Sequence, residues 1–118
     1  MRALVRSPNR LVAVALAVAF FGYGALAVST DRPLLGVVFV GAAAVLGVAG
    51  VLGIAWARGA NIGVGAAWVV LGYAGLFLIG TPLNVVGLTP YDEVALFAAA
   101  TVHLAVGLGA RRDVAALT

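Results

Sequence analysis

Cysteine and lysine are both missing from this 118-residue chain. Without cysteine there are no disulfides, thiolate metal sites or sulfur nucleophiles. Without lysine, all seven basic side chains apart from the single histidine are arginine. Together with abundant alanine, glycine and valine, that usage fits a GC-rich bacterial genome. Charge of either sign is scarce, at 9% of residues against about 25% in soluble domains. A soluble fold this small leaves much of its surface in water, and so few charges could not cover it. Serine is missing from every long apolar stretch, so a nucleophilic serine has no candidate there. No P-loop or dinucleotide fingerprint occurs. Gly47-Val48-Ala49-Gly50 lies within an apolar run, where helix packing accounts for it. These gaps leave no candidate catalytic residue or metal site, and no cofactor is expected, with cofactor-binding residues unknown.

What remains is apolar: 64% of the chain, against about 45–50% in a typical soluble protein. Four runs carry it, at about 11–28, 34–57, 62–80 and 94–110. Each is long enough to cross a bilayer, which takes about 17–25 helical residues. None contains a residue charged at neutral pH, and none shows the alternating pattern of a membrane barrel strand. The expected fold is therefore all-α: one domain, residues 1–118, forming an integral membrane bundle of four antiparallel transmembrane helices. The first run follows Arg2, Arg6 and Arg10 and could pass for a secretory leader. It is about 18 residues long, beyond the usual 7–15 of a leader's apolar core, and reads as the first span.

The breaks between runs carry helix punctuation. Ser7-Pro8 reads as an N-cap followed by proline at the first helical position. Thr30-Asp31-Arg32-Pro33 is a similar start for the second span. Arg58-Gly59 reads as a stop, with Gly59 free to take a left-handed cap, and Asn61 as a cap for the third span. Gly80-Thr81-Pro82 ends that span. Thr89-Pro90-Tyr91-Asp92 resembles a capping box opening the fourth, with Asp92 and Glu93 at the positive end of its dipole. Both carboxylates are expected at the outer surface in a capping role. The loop from Thr81 to Tyr91 is unusually apolar and is expected to fold back on the membrane surface or the bundle, with Asn84 forming a turn.

Arginine placement sets the expected orientation. Arg2, Arg6, Arg10, Arg58, Arg111 and Arg112 fall on one side of a four-span protein, and Arg32 alone on the other. The positive-inside rule then puts both termini in the cytoplasm (N-in/C-in), in a bacterial cytoplasmic (inner) membrane. The arginines sit at segment ends rather than in a patch. That argues for topogenic charge and against nucleic acid, which needs clustered cations.

Burying apolar surface between helices gains little in lipid, so small residues that allow close approach matter more. Ala49, Gly53 and Ala57 form one such stripe in the second span. Ala95, Ala99, His103 and Gly107 form another in the fourth. Trp56 and Tyr91 suit interfacial aromatic belts, while Trp68 sits deeper. Phe21-Gly22-Tyr23-Gly24-Ala25-Leu26 and Leu71-Gly72-Tyr73-Ala74-Gly75-Leu76 hint at a duplicated hairpin.

His103, the only histidine, falls near the middle of the fourth span. An ionisable residue at that depth is a functional candidate. It could relay a proton, bind a ligand or ligate a cofactor such as haem between chains, or it could be a neutral ring hydrogen-bonded to a backbone carbonyl, Tyr23, Tyr73 or Thr101. No intramembrane carboxylate is expected beside it.

Several short motifs, spread over most of the chain, resemble a bacterial family of four-span membrane proteins classed as a domain of unknown function. They are Asn9-Arg10-Leu11 before span one, the glycine–aromatic motifs of spans one and three, Pro82-Leu83-Asn84, and Gly107-Leu108-Gly109-Ala110-Arg111-Arg112. That family tends to carry a histidine–leucine pair early in its even-numbered spans. Here Leu96-Phe97 stands in that place, and His103 comes two turns later. The resemblance implies the four-span fold and no known activity. Expected partners are the lipid bilayer and other membrane subunits or a second copy, without nucleic acid. The leading expectation is a non-catalytic scaffold or accessory subunit, or a homo-oligomer. The alternative is a small-solute transporter or channel using His103.

Overall fold

A computed structural model describes residues 2–118, apart from the side chain of residue 3. The protein is all-α, 84% helical, and has no strand among the described residues. Helix α1 spans Arg2–Arg6, α2 Pro8–Ser29, α3 Pro33–Leu52, α4 Ile54–Leu78, α5 Pro90–Gly109 and α6 Arg111–Leu117. α2, α3, α4 and α5 are each long and apolar enough to cross a membrane.

Local chemistry sets several helix ends where expected. Ser7 caps α2 by accepting the Arg10 amide, ahead of Pro8 in the first turn. Thr89 and Asp92 form a reciprocal capping box at the start of α5. One boundary differs from the sequence expectation. α3 stops at Leu52 and α4 begins at Ile54, so Arg58-Gly59 is helix interior and not a stop. The break is Gly53, whose φ of 152° lies in a region open chiefly to glycine. The last carbonyls of α3 are satisfied from far along the chain. Arg10 donates through Nε to Gly50 O (2.8 Å) and through its terminal nitrogen to Val51 O (3.1 Å). Such orphan carbonyls must find partners, and a partner 40 residues away leaves no local trace. Arg58 likewise donates to Gly107 O (2.9 Å), in the last turn of α5.

The break at Gly53 divides the small-residue stripe expected in one helix. Ala49 is buried in α3, Ala57 is buried in α4, and Gly53 is the junction between them. On α5 the buried line is Glu93, Leu96, Ala100, His103 and Gly107, while Ala95 and Ala99 are half-buried at its edge. A strict four-residue spacing drifts around a helix of 3.6 residues per turn. The line of deepest burial therefore alternates between steps of three and four.

Glycine and alanine bring the helices close. A Cβ on Gly24 would lie 2.9 Å from the Gly36 carbonyl oxygen and 2.8 Å from a Val40 methyl. Gly50 packs against Val14 and Ala13 in the same way. On α4, Gly65 seats Leu104 and His103, Gly72 seats the Phe97 ring, and Gly75 seats the Glu93 carboxyl. At the centre, Phe20, Phe39 and Trp68 stack edge-on or tilted, with ring centroids 5.1–5.5 Å apart. Such pairs contribute about 0.5–1.5 kcal/mol each beyond their burial. The apolar loop between α4 and α5 does return to the bundle. Asn84 closes it by donating to Leu88 O (2.8 Å) and accepting from Leu88 N (3.0 Å), and Leu88 is buried.

Candidate functional site

His103 is completely buried on the inward face of α5. Its partner is none of the groups expected from the sequence. Nδ1 lies 2.8 Å from Asn61 Oδ1. Asn61 turns its amide nitrogen to two oxygens of Asn9, the backbone O and Oδ1, each at 3.0 Å. That orientation leaves only an acceptor facing the ring, so Nδ1 carries a proton and donates it. Nε2 has no hydrogen-bond partner and is the one ring atom with a free lone pair.

The chain of contacts continues past Asn9. Its backbone N–H and its side-chain amide both donate to Asp113 Oδ2, each at 2.8 Å. Asn9, Asn61, His103 and Asp113 are each exposed by 1% or less. This column joins α2, α4, α5 and α6 and includes residues 104 positions apart in the chain. Among its members only His103 stands out as a site from the sequence. Asn61 reads as a helix cap because Arg58-Gly59 reads as a stop. Had α4 been continued through that point, Ala57, Asn61 and Gly65 would fall at four-residue spacing on one face. Nothing local marks Asn9 or Asp113, because both lie outside the apolar runs.

A second polar cluster sits at the opposite end of the bundle. Asp92 accepts from Thr89 N (2.8 Å) and the Thr89 hydroxyl (2.9 Å). It also accepts from the Tyr23 hydroxyl and pairs with the Arg32 guanidinium. Arg32 further donates to Gly87 O at 3.4 Å, holding the α4–α5 loop. Asp92 thus caps α5 as expected, but it is buried and tied to α2 and to the Arg32 side chain rather than displayed at the surface. Glu93 departs further from expectation. It points about 100° away around the helix, towards α4, and is 6% exposed. Neither carboxyl oxygen has a partner. A buried carboxyl does therefore share the inward face of α5 with His103, about three turns away.

The aromatic plug of Phe20, Phe39 and Trp68 lies between the two clusters. Phe20 touches both Trp68 and His103, at 5.5 and 5.7 Å between ring centroids, and Tyr23 leans on Phe39 at 4.7 Å. Trp68 is buried, with its indole N–H unpartnered. Of the other hydroxyls considered for His103, Tyr73 is exposed and Thr101 bonds back to Phe97 O. No group of three potential metal ligands occurs among the described residues. The arginines do not all stay dispersed: Arg2, Arg6, Arg10 and Arg112 line one cleft at the end that holds α1 and α6.

Chemically, the interior is built to hold helices together. Its amides and two carboxylates, Asp92 and Asp113, are used in ties between elements, and aromatic rings fill the middle. No family model, curated protein or solved structure matches the chain.

Proposed function

We propose that this is a small multi-pass protein of a bacterial cytoplasmic membrane that works as a non-catalytic scaffold or accessory subunit, assembling with other membrane subunits or with copies of itself. In this reading its four long helices run antiparallel with both termini in the cytoplasm, supported by six arginines at one end and Arg32 at the other. The bacterial four-span family of unknown function that it resembles is the group in which we place it.

One observation carries the scaffold reading. Most buried polar side chains, which are costly at membrane depth, are here used as ties between helices (Asn9, Asn61, His103, Asp92 and Asp113), and aromatic rings fill the middle of the bundle. Such an interior suits a rigid body. The lipid-facing surface offers a contact: an apolar groove of about 660 Å³ at the α3–α4 junction, lined by Ala44, Val48, Ala55, Trp56, Gly59 and Ala60 among others. Small residues in a groove let a neighbouring helix approach closely. The mass of the purified particle in mild detergent tests this. It is expected to exceed that of one chain, and Gly59→Phe, which fills the groove, is expected to bring it down to the monomer. A particle that is strictly monomeric and partnerless in the wild type would defeat the proposal.

A second reading, small-solute or proton transfer, is favoured by the unpartnered Glu93 carboxyl and His103 Nε2 on one face of α5. The two readings part in a liposome flux assay. His103→Asn keeps a donor for Asn61 but removes the titratable ring. On the scaffold reading, wild type and variant both match empty vesicles. Flux in the wild type that falls more than tenfold in the variant would establish transfer.

A further inference from the structure

The end of the bundle that holds α1 and α6 contains a cleft of about 530 Å³. Arg2 and Arg6 of α1, Arg10 of α2 and Arg112 of α6 line it, together with Ser7 and Asp113. Four positive charges and one negative leave a net charge of +3 there. The only ion pair among the described residues, Arg32 with Asp92, lies at the other end. The single carboxylate at the cleft is already engaged, because Asp113 Oδ2 accepts both nitrogens of Asn9.

Two of the guanidinium groups, those of Arg10 and Arg112, are held by carbonyls. Arg10 bonds Gly50 O and Val51 O, and Arg112 bonds Arg6 O at 3.3 Å. These contacts position the two side chains without neutralising them. Like charges lining one cleft repel unless an anion lies among them. Guanidinium forks match phosphate oxygens in geometry.

The depth of the cleft indicates the source of the phosphate. Ile54, the first residue of α4, forms part of its wall, and the exposed Leu11, Val51 and Leu52 lie beside it in sequence. The cleft therefore sits where the helices leave hydrocarbon, at headgroup level. Basic pockets between helices at that level suit anionic headgroups. A lipid phosphodiester brings acyl chains that the neighbouring apolar residues can cover, whereas inorganic phosphate gains nothing from them.

We propose that this cleft binds the monoanionic phosphodiester of an anionic phospholipid headgroup, held by Arg2, Arg6, Arg10 and Arg112. The inference is independent of the scaffold reading, because a site for one lipid neither requires nor excludes a partner subunit.

The test is a titration of the full-length protein in neutral detergent, read by native mass spectrometry. The probes are short-chain phosphatidylglycerol, phosphatidylcholine of the same chain length, and inorganic phosphate. One phosphatidylglycerol is expected to be retained at least tenfold more tightly than phosphatidylcholine, with inorganic phosphate failing to displace it. Each basic residue at a lipid surface contributes about a factor of five. The triple substitution Arg2→Gln, Arg6→Gln, Arg112→Gln should therefore weaken retention about a hundredfold. Arg10 is left in place because it caps α3. A companion variant with lysine at the same three positions keeps the charges that guide insertion and loses the fork. It is expected to fall between wild type and the glutamine variant, and it carries the test if the glutamine variant does not fold. Three outcomes would overturn the proposal: equal retention of the zwitterionic lipid, undiminished binding in the substituted proteins, or displacement by equimolar inorganic phosphate, which would mark a free-phosphate site.

Discussion

Asp92→Ala is expected to destabilise the bundle by about 3–5 kcal/mol, the range for removing one partner of a buried charge pair. Four donors converge on this carboxylate: the Arg32 guanidinium, the Tyr23 hydroxyl, and the backbone N–H and hydroxyl of Thr89. Removing it orphans all of them at once. Arg32 has a quarter of its side chain exposed and can regain some water, which favours the lower half of the range. Asp92→Asn is the informative comparison. It keeps an acceptor for Thr89 and loses the charge facing Arg32, so a smaller loss of about 1–2 kcal/mol is expected. Both are read as the shift in unfolding midpoint when protein in mild detergent is titrated with SDS and followed by far-UV circular dichroism. An alanine variant as stable as the wild type would mean that this cluster does not hold α2 and α5 together.

The second large effect lies at the opposite end. Asn61→Leu removes the link between Asn9 and His103, leaving the His103 Nδ1–H and the Asn9 Oδ1 buried without partners. An orphaned buried polar group costs about 1–3 kcal/mol, so about 2–4 kcal/mol is expected for the pair. Hydrogen bonds between membrane helices average only about 0.6 kcal/mol when measured pairwise. The larger figure here comes from two groups with no lipid-side alternative. A double-mutant cycle separates these contributions. In the Asn61→Leu background, His103→Leu should cost clearly less than it does alone, because the orphaned donor is removed. Fully additive losses would show that the column is a set of independent contacts.

The column and the Asp92 cluster differ in how far the sequence reveals them. Thr89 and Asp92 are three residues apart and meet within one helical turn, so their capping box is legible in one dimension. Asn61 and His103 lie in different helices, and their meeting depends on how α4 and α5 are rotated against each other. Small residues decide that rotation, since Gly65 and Gly107 set where α5 may approach. Glu93 shows the same dependence. Its neighbour caps the helix, yet the glycine at position 75, eighteen residues earlier, lets the carboxyl turn inward.

Composition and run length alone determine that this is an all-helical chain with four segments able to cross a bilayer. Hydrocarbon sets a length and a polarity limit that each segment meets or fails independently of its neighbours. Tertiary structure alone decides that α3 ends at Gly53, that His103 answers to Asn61, and that Asp92 and Glu93 are interior. Each of these turns on something far along the chain: a polar partner tens of residues away for the end of α3, for His103 and for Asp92, and the space left by Gly75 for Glu93. Where water cannot reach, the partner's position, rather than the local sequence, sets where a helix stops and which way a polar side chain points.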